Sequence, residues 1–133
     1  MIRKIPALAI ALIPGLLISP AGAAGDLVRE FSGARSTQTV EFEVAAPWLI
    51  DWRVNSDFPS SMGIDVILMN ANGAYEGRVV KTKAPGNGVR LMEQSGRFSF
   101  KVEASVAYWT LKVEQLTPEE AELYTPKSSS PLD

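Results

Sequence analysis

The stretch of residues 39–54 (TVEFEVAAPWLIDWRV) constrains the fold more than any other part of the chain. Apolar residues occupy every second position on either side of a break at Ala46-Pro47, which is the period of a strand with one buried face. These positions are Val40, Phe42, Val44, Trp48, Ile50, Trp52 and Val54. Two tryptophans four residues apart on one face are separated by roughly 13 Å and are large enough to seed the core of a small sandwich. We therefore expect Trp52→Ala to destabilise the protein by about 3–5 kcal/mol.

Similar alternation recurs along the chain, with Gly, Pro, Asn and Ser clusters between the runs. The predicted strands are 27–35, 39–44, 48–54, 63–69, 75–83, 89–94, 97–105 and 107–116. Strands and helices do not alternate, so we predict an all-β fold, an antiparallel β-sandwich of about eight strands with jelly-roll or immunoglobulin-like topology. Asn72-Gly73 predicts a two-residue type I′ hairpin. Thr117-Pro118-Glu119-Glu120 predicts a capping box that begins a short C-terminal helix, which ends by Tyr124.

The N-terminus has the pattern of a secretory signal peptide. Arg3 and Lys4 precede an apolar run at 5–18, and Ala21-Gly22-Ala23 is a small-x-small cleavage signal. An uncleaved membrane anchor is the alternative, but the run is short and Pro14-Gly15 would break a spanning helix. We expect a signal peptide at 1–23, a sandwich domain at 24–125 and a disordered polar tail at 126–133. The protein would then be periplasmic or secreted, with no stable membrane anchor after cleavage.

Two residue types are missing altogether from the 133 residues, cysteine and histidine. A secreted domain without cysteine has no disulfides and must be stabilised by its core alone. Without histidine or cysteine, Ser-His-Asp and Cys-His catalysis are excluded. The formal net charge is −2, and no basic patch stands out, so we do not expect nucleic acid as a partner.

Two runs of the sequence resemble known modules. The run at 39–54 is similar to an F-x-V-x-x-P-W-x-L-x-W pattern, with Ile50 at the leucine position, and the run at 97–115 is similar to G-x-F-x-x-x-V-x-A-x-x-x-W-x-L-x-V. Together they resemble small bacterial secreted β-sandwich modules, jelly-roll or CUB-like. The resemblance implies an interaction or ligand-binding domain, but its matching residues are core residues and therefore identify no binding residue.

The first functional hypothesis is a non-enzymatic interaction or ligand-binding module of the bacterial envelope that contacts an envelope protein or a glycan. Loops on a rigid sandwich are its expected working surface, here 55–62 and 84–88. The candidate ligand-binding residues are Asp51, Asp57, Tyr75 and Tyr108. Asp51 is also expected to pair with Arg53 as an ordinary surface ion pair. No metal or cofactor is expected, although Asn70, Asn72 and Glu76, or Asp57 and Asp65, supply oxygen atoms of the kind that calcium prefers.

Two alternatives belong to other classes. A carboxylate-based glycan hydrolase would draw its acid and base from Asp51, Glu76 or Glu103. A structural subunit would accept or donate an edge strand, with the weakly patterned run at 27–35 as that edge.

Overall fold

A computed structural model describes residues 25–125 and contains nine strands. The strands are β1 (Asp26–Gly33), β2 (Thr37–Gln38), β3 (Phe42–Val44), β4 (Trp48–Asn55), β5 (Gly63–Asn70), β6 (Tyr75–Thr82), β7 (Gly86–Met92), β8 (Gly96–Ser105) and β9 (Tyr108–Gln115). A 3-10 turn (Pro59–Ser61) precedes β5, and a short helix α1 (Pro118–Ala121) follows β9. Within 25–125, no helix has the length and hydrophobicity needed to cross a membrane. The predicted signal peptide and polar tail lie outside the described residues.

The strands form two antiparallel sheets that pack face to face, so the predicted all-β sandwich is confirmed. One sheet has the order β1-β9-β4-β7, and the other has the order β2-β8-β5-β6, with β3 also paired to β8. The chain forms one long hairpin, because its strands pair antiparallel from the ends toward the middle. The pairs are β1 with β9, β2 and β3 with β8, β4 with β7, and β5 with β6. This hairpin is folded over so that its pairs alternate between the sheets, which is the jelly-roll arrangement.

The core between the sheets is built around aromatic side chains. Phe42, Trp48, Phe98 and Phe100 are at most 4 % exposed. Their rings pack at short range: the Trp48 ring centroid lies 5.7 Å from that of Phe42 and 5.5 Å from that of Phe98. Such tilted and edge-on aromatic pairs stabilise the folded state beyond the contribution of burying the rings. Strand alternation therefore places these residues in the core, as predicted.

The alternation did not predict every face correctly. Only β3 lies within the predicted strand at 39–44, because β2 ends at Gln38. Between β2 and β3, the three residues 39–41 are opposite only two residues of β8. This extra residue turns Val40 outward, where it is 61 % exposed instead of buried. Trp52 is on the inner face as predicted, but it is only partly buried because its ring lies over the edge strand β7.

Three local predictions meet different outcomes. The capping box is present, since the Thr117 hydroxyl accepts from the Glu120 amide and the Glu120 carboxylate accepts from the Thr117 amide. The predicted loop at 84–88 is too long, because β7 already begins at Gly86.

The 70–74 connection is not type I′, since Gly73 has a φ of 79° but Asn72 has no positive φ. Instead the Gly73 amide donates to the Asn70 carbonyl, a type I turn followed by a left-handed glycine.

A second, smaller hydrophobic cluster lies on the outer face of the first sheet. Leu49, Leu116 and Ala121 form it, with Leu91 and Tyr124 packed against them. Helix α1 thus covers one end of this face. All strands and both clusters lie within 25–125, so a chain that begins at Ala24 contains the whole described fold.

Candidate functional site

One end of the sandwich, which we call the tyrosine end, is formed by the loops 34–36, 56–62, 83–85 and 106–107. Antiparallel pairing brings these loops together: Asn55 is opposite Tyr108, and Gly63 is opposite Ser105. Side chains connect them further, since the Ser36 hydroxyl accepts from the Ala104 amide at 2.9 Å. Both predicted working loops therefore lie at the same end of the molecule.

The structure brings two of the four predicted site residues into contact at this end. The Tyr108 hydroxyl donates a hydrogen bond to Asp57 Oδ2 at 2.7 Å. Tyr108 is 51 % exposed, so this is a pair at the surface. The hydrogen bond and the charge of Asp57, with a small contribution from burial, raise the pKa of Tyr108 above its ordinary value. The hydrogen bond orients the Tyr108 ring toward Asp57 and keeps its hydroxyl group protonated at neutral pH.

A second network fixes the loop that carries Asp57. The Ser56 hydroxyl accepts from the Phe58 amide at 3.0 Å and donates to the Val106 carbonyl at 2.5 Å. The Ser56 amide donates to Asn55 Oδ1 at 2.8 Å. Val106 has a φ of 54°, a left-handed conformation that a β-branched residue rarely adopts. Such strained residues cluster at functional sites, where the surrounding contacts hold them in place.

These contacts present apolar side chains to solvent. Phe58 is 65 % exposed and Val106 is 46 % exposed. With Ala34, Asp57, Ala107 and Tyr108 they line a depression of about 150 Å³. We call this surface the Phe58–Tyr108 patch.

A larger, open groove of about 490 Å³ adjoins the patch and shares Tyr108 with it. Its polar walls come from the outer face of the first sheet and from the start of β7. The polar side chains that line it are Arg53, Asn55, Asn87 and Thr110. At the tyrosine end, an apolar depression and a groove with hydrogen-bonding side chains therefore lie next to each other, and Tyr108 lines both. Such a combination of apolar and polar surface is suited to binding.

The other two predicted residues lie elsewhere. Asp51 is on the outer face of β4, where its Oδ1 accepts from Arg53 Nε at 3.5 Å, which confirms the predicted pair. Tyr75 begins β6 at the opposite end of the sandwich and is 58 % exposed. Neither residue contributes to the Phe58–Tyr108 patch.

The carboxylates considered for glycan hydrolysis are widely separated. Asp51 lies on the outer face of one sheet, whereas Glu76 and Glu103 lie on strands of the other. Strand β5 separates Glu76 from Glu103, so their backbones are at least about 10 Å apart. The three residues therefore lie on strands that are not neighbours, whereas a glycosidase acid and base lie about 5–9.5 Å apart.

Asp51 has a different carboxylate as its diagonal neighbour, Glu114 of β9. Partial burial, followed by the charge of Asp51, raises the pKa of Glu114, while Lys112 and Arg53 oppose the shift. Lys112 is directly opposite Asp51. The four residues form a mixed-charge sheet face of the kind that contributes little to stability.

Three of the groups considered for calcium, those of Asn70, Asp57 and Asp65, already accept hydrogen bonds within the protein. Asn70 Oδ1 accepts from the Asn72 and Ala74 amides within the turn. Asp65 accepts from Arg78 at 2.9 Å, and Asp57 accepts from Tyr108. In the part of the chain that the structure describes, no three acidic residues group together as metal ligands would. Neither grouping named from the sequence is proposed as a calcium site.

The comparisons with known proteins place this chain in no family. No protein-family model matches it, and a search of curated proteins finds no similar sequence. The likeness of residues 39–54 and 97–115 to small secreted β-sandwich modules therefore stays a prediction, and the structure shows only the β-sandwich fold.

Four residues of the patch, Ala34, Phe58, Val106 and Ala107, were not named as site residues from the sequence, although Phe58 lies in the predicted working loop 55–62. Phe58 is the single aromatic residue in the polar segment NSDFPSSMG, which is a usable signal for an exposed loop anchor. Val106 has no such signal, because valine is not a residue that indicates a left-handed turn.

Proposed function

We propose that this protein is a non-enzymatic binding module of the bacterial envelope and that its contact surface is the tyrosine end. The observation that carries the proposal is the exposure of two aromatic rings, Phe58 and Tyr108, which line the same depression at one end of the sandwich. The Tyr108 hydroxyl is bonded to Asp57, and the Phe58 backbone amide is bonded to the Ser56 hydroxyl. Aromatic residues in fixed positions bind with little loss of conformational entropy, which makes them frequent anchors of interfaces.

The chemistry of the surface favours an envelope protein as the partner. Phe58 and Val106 supply apolar area, and Tyr108 combines an apolar ring with a polar hydroxyl group. The adjoining groove offers Arg53, Asn55 and Asn87 for hydrogen bonds. An extended apolar segment with polar flanks would fill both, with Tyr108 at their junction.

Location in the periplasm or outside the cell is part of the proposal and is supported by the signal-peptide pattern at 1–23. The absence of cysteine and histidine from the sequence supports the non-enzymatic part, since two common nucleophile–base devices cannot be built.

The decisive experiment uses the chain from Ala24 to Asp133, immobilised by a C-terminal tag, to capture proteins from the native envelope. A captured protein is purified, and its affinity is then measured by calorimetry for the unmodified chain and for Phe58→Ser and Tyr108→Ser. We expect each substitution to weaken binding by about tenfold or more, the usual effect of truncating an interface anchor.

The matched control is Tyr75→Ser, which removes an equally exposed tyrosine from the opposite end. It should leave the affinity unchanged. If Tyr75→Ser weakens binding as much as Tyr108→Ser does, the tyrosine end is not the contact surface. A glycan that binds the same chain, with the same response to Tyr108→Ser, would keep the surface but replace the protein partner.

A further inference from the structure

The four edge strands of the sandwich differ in their regularity. Strands β1 and β6 each carry extra residues relative to their neighbours, Val28 in β1 and Glu76 and Val79 in β6. The edge formed by β2 and β3 is broken between Gln38 and Phe42. Bulges and breaks of this kind prevent another strand from pairing with an edge. The run at 27–35, expected from the sequence to be a pairing edge, is therefore an edge but a protected one.

Strand β7 has none of these interruptions. It pairs with β4 residue for residue, from Trp48 opposite Met92 to Val54 opposite Gly86. It contains neither proline nor lysine. Its other side faces no strand of the described chain. Of the four edges, β7 alone presents an unbroken row of backbone donors and acceptors, which is a template for strand addition.

The side chains of β7 divide into two faces. On the inner face, Gly86 and Gly88 leave room for the Trp52 ring, and a Cβ on Gly88 would lie 2.8 Å from that ring. Arg90 follows on the same face, opposite the buried Ile50. Arg90 is nevertheless exposed, and among residues 25–125 it forms no ion pair. Val89 is on the outer face and is 50 % exposed.

We infer that β7 pairs antiparallel with β7 of a second copy of this chain, about a two-fold axis at Val89. In this register, Arg90 of each copy is opposite Gly88 of the other. Since Trp52 lies over Gly88, each Arg90 guanidinium reaches the Trp52 ring of the second copy, a cation–π contact. The two sheets β1-β9-β4-β7 would join into one continuous sheet.

The same register is self-complementary on the outer face, as a two-fold interface must be. Val89 of one copy is directly opposite Val89 of the other, an apolar pair that is currently half exposed. Asn87 faces Leu91. The two Arg90 side chains are displaced from each other along the strands, so like charges are not directly opposed.

The interface is small, since it rests on one seven-residue strand and a few side chains. It is therefore a weak dimer that forms at high protein concentration, below the size class of permanent complexes. Because β7 lies on a lateral edge of the sandwich, pairing there leaves the Phe58–Tyr108 patch open, whereas Asn87 of the adjoining groove lies at the interface.

Single-cysteine variants test the register directly, because the sequence contains no other cysteine. Val89→Cys places two thiols opposite each other at the two-fold axis, within the range that allows a disulfide after small adjustments. Asn87→Cys separates them by several residues along the strands, and Val40→Cys places the thiol on the broken edge, where Val40 is 61 % exposed. Under mild oxidation at high concentration, Val89→Cys should form the disulfide dimer at least about tenfold faster than either control.

A second measurement needs no covalent bond. In sedimentation equilibrium, the unmodified chain should self-associate, and Val89→Lys should abolish association because two ammonium groups would lie opposite each other. Val40→Lys, with the same change of charge, should behave like the unmodified chain. Equal cross-linking rates for the three cysteine variants, or faster cross-linking of Asn87→Cys, would overturn the register. A chain that remains monomeric at all concentrations would overturn the inference. If Arg90→Ala then dimerised, Arg90 would be the residue that prevents pairing at this edge.

Discussion

The two ends of the sandwich use their side-chain hydrogen bonds in different ways. The helix end is formed by 45–47, 71–74, 93–95 and 116–125. There the Gln115 side chain donates to the Ala45 and Pro47 carbonyls and accepts from the Ala45 amide. Trp48 Nε1 donates to the Gln94 carbonyl at 2.8 Å. These bonds join separate segments and close the core, and α1 covers the adjoining sheet face.

The tyrosine end uses its hydrogen bonds for a different purpose. Ser56 and Asp57 hold a loop and a ring in place, but the rings of Phe58 and Tyr108 remain in contact with solvent. Substitutions at the helix end should therefore change the free energy of unfolding, whereas substitutions of the exposed rings should change binding. Under the proposed function, the helix end serves stability and the tyrosine end contacts the partner.

The largest effect is expected from Trp48→Ala at the helix end. Trp48 is fully buried, so its truncation should lower the free energy of unfolding by about 3–5 kcal/mol. The Trp52→Ala effect expected from the sequence should be smaller, about half, because Trp52 is only partly buried at the β7 edge. Urea unfolding followed by circular dichroism measures both. Equal losses would mean that Trp52 is as buried as Trp48.

Gln115→Ala tests whether side-chain hydrogen bonds close the helix end. Three bonds to the backbone of Ala45 and Pro47 are lost, and we expect a destabilisation of about 2 kcal/mol. Gln94→Ala is the control at the same end, since the Gln94 side chain is exposed and only its backbone carbonyl is used. A loss below about 0.5 kcal/mol for Gln115→Ala would show that the strands alone close this end.

Ser56→Ala measures the corresponding network at the tyrosine end. The loss of the bonds to Phe58 and Val106 should destabilise the fold by about 1 kcal/mol. It should also speed amide hydrogen exchange in 56–62. Ser60→Ala, in the exposed 3-10 turn, should do neither. If Ser56→Ala changes stability but not exchange in the loop, the network does not position Phe58.

The smallest effect is the pH dependence of Tyr108. Its pKa in the folded protein is raised by Asp57, so the stabilisation is present below the unfolded tyrosine pKa of about 10 and is lost as pH rises through the higher folded value. In an NMR titration of labelled tyrosine, Asp57→Asn should lower the pKa of Tyr108. Asp51→Asn, on the outer sheet face, should leave it unchanged. No response to Asp57→Asn would contradict the hydrogen bond.

Much of the fold followed from local alternation, and the exceptions have physical causes. Phe98, Phe100 and Val102 alternate with polar residues and are all buried, as period two requires. Val40 follows the same pattern but is exposed, because one extra residue opposite β8 reverses its direction. Gly86-Asn87-Gly88 has the composition of a turn, yet it is a strand, because the Trp52 ring occupies the space that the missing side chains leave.

The candidate site could be predicted only in part, for a similar reason. The sequence indicated Asp57 and Tyr108 separately, one in a polar loop and the other at the start of a strand. Their hydrogen bond joins positions 51 residues apart. Such a distant contact depends on the order of the strands.

The sequence by itself determined the class of fold, the positions of most strands and the cap of the C-terminal helix, because each of these depends on residues close together in the chain. Only the tertiary structure decided which strands pair, that the topology is a jelly roll, and which edge remains unbroken. Alternation specifies a buried face but not the strand that covers it, so the same pattern is compatible with several strand orders. The meeting of Phe58 with Tyr108, and of Trp52 with Gly88, follows from that choice.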